Sequence, residues 1–236
     1  MLFVSEKAVF DNKKPIRGGV PIVFPCFGEW KFGPSHGFAR ISRWMLTQTG
    51  IADEGEVFAV FELEDNEETR AMWDGHKFGI TYTIMLCKES LNFNIAIENR
   101  GAHPFEFTSL LHTYFRTSNA SKVTVSGLNG LSFVDKVRGA IVDVESSEHV
   151  AIDQYIDRVY SGALSEHIIT HLGASRDRLT RIHTFKYIYI YIYIYNVYIY
   201  VYMYVCIHCN VVFYSILNNI VNSVAVLLIL SFNPLF

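Results

Sequence analysis

Leu91-Asn92-Phe93-Asn94-Ile95-Ala96-Ile97-Glu98 is the stretch that decides the fold. Leu91, Phe93, Ile95 and Ile97 fall on one side of an extended chain, and Asn92, Asn94, Ala96 and Glu98 on the other. Strict period-two alternation predicts a β-strand with one buried face. Asn99-Arg100-Gly101 then closes the run as a turn. Working outward, residues 57–63 and 77–87 read as preceding strands, and Ile80, Tyr82, Ile84 and Leu86 alternate in the second. Residues 105–115 and the short run 122–126 read as the next two. Successive strands split by turns, with no helical period between them, predict an antiparallel sandwich or barrel.

Residues 15–37 break this rhythm. Gly18-Gly19, Pro21, Pro25, Gly28, Gly33-Pro34 and Gly37 exclude a helix and demand special backbone angles. The segment is also rich in Phe, Trp and Ile, which favours an ordered, functional loop over a disordered one.

Charge is spread unevenly. The net charge is −3 over 236 residues, with no basic run of the kind a nucleic-acid surface needs. Residues 187–236 contain no Asp, Glu, Lys or Arg. The four cysteines, Cys26, Cys87, Cys206 and Cys209, do not form a disulfide framework, so a reducing cytoplasmic setting is expected. Glu6 and Lys7 interrupt the N-terminal apolar residues too early for a secretory signal.

The tail has a composition of its own. Residues 187–195 alternate Tyr and Ile, and 196–210 continue with Val, Tyr, Ile, Met, Cys and His. ATA-TAT repeats encode Ile-Tyr, and the interrupting codons lie one base away. Translation of a TA/TG repeat is therefore the expected origin, against the alternative of a real strand or fibre-like segment. As protein, the run is an aggregation hazard. Residues 211–232 are apolar over a length that could span a bilayer, for which roughly 20 residues suffice. Asn218, Asn219 and Asn222 interrupt it, and no Lys or Arg flanks it. A tail-anchored membrane protein is one alternative reading. A metal site at Cys206 and Cys209 is another, resting on spacing alone.

Three constellations carry candidate chemistry. Ile16-Arg17-Gly18-Gly19-Val20-Pro21 sets a cation beside glycines where backbone can approach a ligand; a surface Arg next to a turn is the plainer reading. Ser35-His36-Gly37-Phe38-Ala39-Arg40 sets a His and an Arg four apart, either as a site or as a solvated loop. In Leu110-Leu111-His112-Thr113-Tyr114-Phe115, parity puts His112 with Glu106, Thr108, Leu110 and Tyr114, opposite Phe105 and Phe107. His112 is then either a general acid or base, or a His tied to a backbone carbonyl.

Taken in order, these motifs, together with Leu2-Phe3-Val4-Ser5, Ala8-Val9-Phe10, Phe24-Pro25 and Asp157-Arg158-Val159-Tyr160, resemble the glucose-6-phosphate 1-epimerases, hexose-6-phosphate mutarotases of the aldose 1-epimerase superfamily. The resemblance runs from Met1 to about Tyr160. It implies an all-β, galactose-mutarotase-like antiparallel β-sandwich. It implies interconversion of α and β anomers of hexose 6-phosphates, without metal or nucleotide cofactor. It makes His112 the catalytic acid that protonates the ring oxygen. Arg17 and Arg40 would hold the substrate, His36 would lie beside them in the sugar pocket, and Asp157 would bind substrate. Ser35 stands where many relatives have Gln, so a contact there is expected to differ.

The expected organisation is a partial sandwich over 1–160, an unaligned linker over 161–185, and a low-complexity apolar tail over 186–236. The family carries strands before Leu2-Phe3-Val4-Ser5, and its catalytic Glu, the base, lies beyond the matching span. Glu166 falls in the unaligned segment and takes no role. Impaired catalysis is expected for such a chain, and a sugar-phosphate-binding short isoform without turnover is the rival. A monomer acting on a small molecule, with no nucleic-acid partner, completes the expectation.

Overall fold

The computed structural model describes residues 2–11, 13–103, 105–117, 119–162, 166–171 and 178–183, together with strands at 189–195, 198–209, 227–230 and 232–233. Alternation builds the first sheet. β2 (Met45–Ile51), β3 (Val57–Glu64), β4 (Phe78–Leu86) and β5 (Leu91–Asn99) pair antiparallel in chain order, as a meander. In β5 the residues Leu91, Phe93, Ile95 and Ile97 are half-buried, and Asn92, Asn94, Ala96 and Glu98 are exposed, as the alternation predicts.

Two elements were not legible. β2 is almost wholly exposed, so it carries no burial period to read. A short helix, α1 (Glu67–Met72), interrupts the strands that alternation suggested would follow one another. Its N-terminus is a capping box. The Asn66 side chain accepts from the Thr69 amide at 2.9 Å, and the Asn66 amide donates to Thr69 Oγ1 at 2.8 Å.

The second sheet holds the remaining motifs. Its order is β1 (Ile22–Val23), β6 (Phe105–Arg116), β15 (Tyr198–Cys209), β14 (Tyr189–Tyr195), β11 (Asp157–Ser161), β8 (Ser132–Asp135) and β9 (Ile141–Val144). β16 (Leu227–Leu230) also pairs with β11, and β17 (Phe232–Asn233) pairs with β14. The Tyr-Ile run therefore contributes the two strands between β6 and β11. The third sheet is β10 (His149–Ala151), β7 (Val123–Ser126), β12 (Glu166–His171) and β13 (Arg178–His183). Part of the segment read as a linker is thus strand, with Ile169 paired to Val125.

Two apolar clusters fill the interior. One is aromatic and lies under residues 22–41: Phe24 is fully buried and meets Trp73, Phe78 and Phe107 at ring-centroid distances of 5.3, 5.3 and 5.2 Å. Burial of large rings in edge-on and tilted contacts anchors this loop on the core. The other joins Val123, Val125, Leu128, Phe133, Tyr160 and Ile169. Among the described residues no helix is long and apolar enough to cross a membrane. The segment 211–232 lies outside the described residues, apart from Leu227–Leu230 and Phe232.

Candidate active site

The site is assembled by hydrogen bonds that pin the Gly-Pro-rich loop along β6. The His112 amide donates to the Pro21 carbonyl at 2.9 Å, Tyr114 N–H to Gly19 at 2.9 Å, and Thr108 N–H to Pro25 at 2.7 Å. The Ser109 hydroxyl, buried, donates to Val23 at 2.9 Å. Arg17 is set by the N-terminal segment: its carbonyl accepts from Ser5 N–H at 2.8 Å, and Gly19 N–H donates to Phe3 at 2.7 Å. Gly18 has to be glycine here. Its φ is 151°, and a Cβ would stand 2.4 Å from the Val4 Cα.

The second half of the site hangs from the Phe24 carbonyl, which accepts from Phe38 N–H at 3.0 Å and Ala39 N–H at 3.2 Å. Gly37, with φ 71°, lets the backbone close on it; a Cβ would lie 2.1 Å from that oxygen. His36 itself has φ 67°, in the left-handed region that L-residues avoid. A reciprocal clasp with Gly28 holds it there. The His36 amide donates to the Gly28 carbonyl at 2.7 Å, and the Gly28 amide donates to His36 Nδ1 at 3.0 Å. The neutral ring therefore carries its proton on Nε2. Ser35 donates its hydroxyl to the same Gly28 carbonyl at 3.0 Å, and its own carbonyl accepts from Arg40 Nη2 at 2.7 Å.

His112 is buried, at 8 % exposure, and stacks on Tyr114 with ring centroids 4.7 Å apart. Parity placed it on the more polar face of its strand; Leu110 and His112 are nonetheless both covered. Its pKa lies well below the ordinary 6.5. Burial is the main cause, followed by His36, Arg40 and Arg17, while a backbone hydrogen bond opposes the shift. His36 is pushed down to about 4 by burial, then by Arg40 and Lys136. Arg17 and Arg40 thus set positive charge near two imidazoles that are held neutral, His36 and His112.

Lys136 is the residue that sequence reasoning missed. It stands in the turn between β8 and β9, with its ammonium 5.4 Å from the centre of the Phe27 ring, which in turn lies 5.2 Å from the His36 ring. Nothing local marks Lys136, because it comes about a hundred residues after the loop it faces. Asp157, at the start of β11, meets this turn through its backbone: the Lys136 amide donates to the Asp157 carbonyl at 2.8 Å. The Asp157 Oδ1 atom is buried. Glu166 lies elsewhere, in β12, 3.6 Å from Arg181.

With this geometry in place, the chain can be set against known proteins. The aldose 1-epimerase family profile matches residues 2–192. The chain belongs to the aldose 1-epimerase family. The family match extends past Tyr160, where the motif resemblance ended, and takes in β12, β13 and the first half of β14. Two relatives carry the provisional name glucose-6-phosphate 1-epimerase. One, from Escherichia coli K12, is 38% identical over 162 residues, covering 68% of this chain and 52% of the relative. The other, from Cenchrus ciliaris, is 32% identical over 173 residues, covering 70% of this chain and 52% of the relative. The chain thus spans about half the length of the curated relatives it matches. A solved structure provisionally described as a mutarotase, from Salmonella typhimurium, superposes with a TM-score of 0.65 at 23% identity, covering 88% of this chain and 80% of that one. The Slr1438 protein of Synechocystis gives 0.66 at 16% identity, covering 86% and 73%. This aldose 1-epimerase family chain therefore has the mutarotase-like antiparallel β-sandwich fold.

Among the described residues no group of three or more His, Cys, Asp or Glu side chains could hold a metal ion. Cys206 and Cys209 fall in β15, outside the residues whose side chains are described. Cys26 and Cys87 carry free thiols.

Proposed function

We propose that this chain binds hexose 6-phosphates, glucose 6-phosphate first among them, and that His112 is the acid that meets the ring oxygen. The observation that carries the reading is that Arg17, His36 and Arg40 all act on the buried His112, adding to the burial that is the main cause of its lowered proton affinity. Cations gathered around a desolvated imidazole repel one another, and an anionic ligand is what makes such a grouping favourable. In this reading Arg17 and Arg40 bind the substrate, with the guanidinium forks suited to phosphate oxygens. Ser35 and His36 line the sugar pocket, and Asp157 accepts hydrogen bonds from sugar hydroxyls.

Mutarotation protonates the ring oxygen while a base removes the anomeric hydroxyl proton; C1–C2 rotation and reclosure then give the other anomer. A His held neutral is a poor acid at pH 7. The bound phosphate works against part of this. Its charge of about −2 offsets Arg17 and Arg40 and so raises the imidazole, against the burial that holds it down.

The test is calorimetric titration of the whole chain with glucose 6-phosphate. The expected result is saturable binding that Arg40→Met weakens at least tenfold, the loss of one charge-assisted contact worth about 1.5–3 kcal/mol. Equal binding by the variant and the unaltered chain would overturn the reading.

A further inference from the structure

We propose that the free edge of β5 is a self-association surface whose occupant is β5 of a second copy of this chain, paired antiparallel about Ile95. The meander ends at β5, which pairs with β4 alone among the described residues. The outward backbone amides and carbonyls of this nine-residue strand are therefore unpaired. Such a row is a template for another strand, and folds guard it with Lys, Pro, bulges or inward charges. β5 has no such guard. Its residues 91–99 include no Pro, Lys or Arg. Its register with β4 runs without a bulge from Leu91 to Asn99. Its one charged residue, Glu98, is held by Arg100 at 2.7 Å. The opposite edge of the same sheet is guarded, because a bulge breaks β2 between Leu46 and Gln48.

The residues of β5 say which partner fits. A twofold axis normal to the sheet at Ile95 sets the whole strand against itself. Leu91 then faces Asn99 of the second copy, Phe93 faces Ile97, and Ile95 faces Ile95. On the exposed face Asn92 meets Glu98 and Asn94 meets Ala96, so no like charges are opposed. A shift of one pair toward the start of the strand would instead set Arg100 against Lys88. The half-buried row Leu91, Phe93, Ile95 and Ile97 becomes the middle of one apolar face that runs across both sheets. Phe93 is already held for this contact, stacked on Tyr82 with ring centroids 6.0 Å apart. Aromatic and β-branched residues facing each other across strands are stabilising. The pairing also closes, since each β5 is used once; β5 laid on β2 would continue into an open fibre. A monomer was the expectation from the sequence, where nothing marks which strand ends a sheet.

The experiment measures the mass of the whole chain by sedimentation equilibrium from low to high micromolar concentration. The expected result is a rise from 27.0 kDa toward twice that mass. Asn94 and Ala96 are exposed on the polar face, so both can be changed without touching the core. Asn94→Lys combined with Ala96→Lys opposes two ammonium groups at both symmetric pairs, and should weaken the dimer about tenfold. Asn94→Lys combined with Ala96→Glu opposes a cation and a carboxylate at the same places, and should restore it to within about threefold. Urea midpoints at the lowest concentration should be the same in all three chains. A chain that stays at 27.0 kDa at every concentration would overturn the assignment. So would an assembly of any size that responds equally to the two variants, because its contact would lie elsewhere.

Discussion

His36 concentrates the residue-scale physics of the site: a left-handed backbone, a ring held by Gly28, and a pKa near 4 set mainly by burial and then by Arg40 and Lys136. The unfolded chain binds a proton at about 6.5 and the folded site resists it, so the unfolded state holds more protons between those values. Stability is complete above about pH 6.5 and declines as pH falls toward 4, by roughly 3 kcal/mol at most from His36, with a further decline in the same direction from His112. His36→Asn is the informative variant, because Asn tolerates the left-handed region and its amide oxygen can accept from Gly28. Urea midpoints at pH 7.5 and pH 4.5 should differ less in His36→Asn than in the unaltered chain. An identical difference in both would remove His36 as the source. The motif around His36 was legible because glycines and a His-Arg spacing are local features. Lys136 was not, since only the tertiary turn brings it against Phe27.

At the scale of elements, alternation was a good guide wherever one face of a strand is buried and the other is wet. β3, β4, β5 and β6 follow the runs read at 57–63, 77–87, 91–98 and 105–115 to within a residue or so at each end. It failed for β2, whose residues are exposed on both faces, and for α1, which is shorter than two helical turns and shows itself only through the Asn66–Thr69 cap. The Asp157-Arg158-Val159-Tyr160 motif was visible as a match, but its structural half was hidden. Arg158 and Tyr160 tie β11 to Asp135 and Glu145, with the Tyr160 hydroxyl donating to Glu145 at 2.6 Å. Both carboxylates are buried, so each needs its donors. Tyr160→Phe removes one donor and leaves the volume unchanged. It should destabilise the fold by about 1–3 kcal/mol, read as a lower urea midpoint with an unchanged slope. A midpoint equal to that of the unaltered chain would mean that Arg158 and the Ser147 amide satisfy Glu145 without it.

For the whole molecule, the question is whether a chain spanning about half of its relatives' length can complete the reaction. Mutarotation needs a base opposite the acid. One neighbour of the His112 strand in the sheet is β15, with Tyr202 in register with His112, and beyond it lies β14, with Tyr193 opposite Asp157. The Tyr-Ile composition suits strands, and its period of two keeps the same residue types in place if the pairing slips by two. It cannot supply a carboxylate, because residues 187–236 contain no Asp or Glu in any register. Glu166 is engaged with Arg181 in another sheet. For residues 1–236 by themselves, the expected outcome is ligand binding without turnover. Anomer exchange of glucose 6-phosphate, followed by NMR magnetisation transfer with residues 1–236, should run no faster than in buffer. An acceleration abolished by His112→Ala would sink that expectation. If Asp157→Asn abolished it too, Asp157 would be the base, and the cluster of cations, imidazole and carboxylate would be sufficient for catalysis.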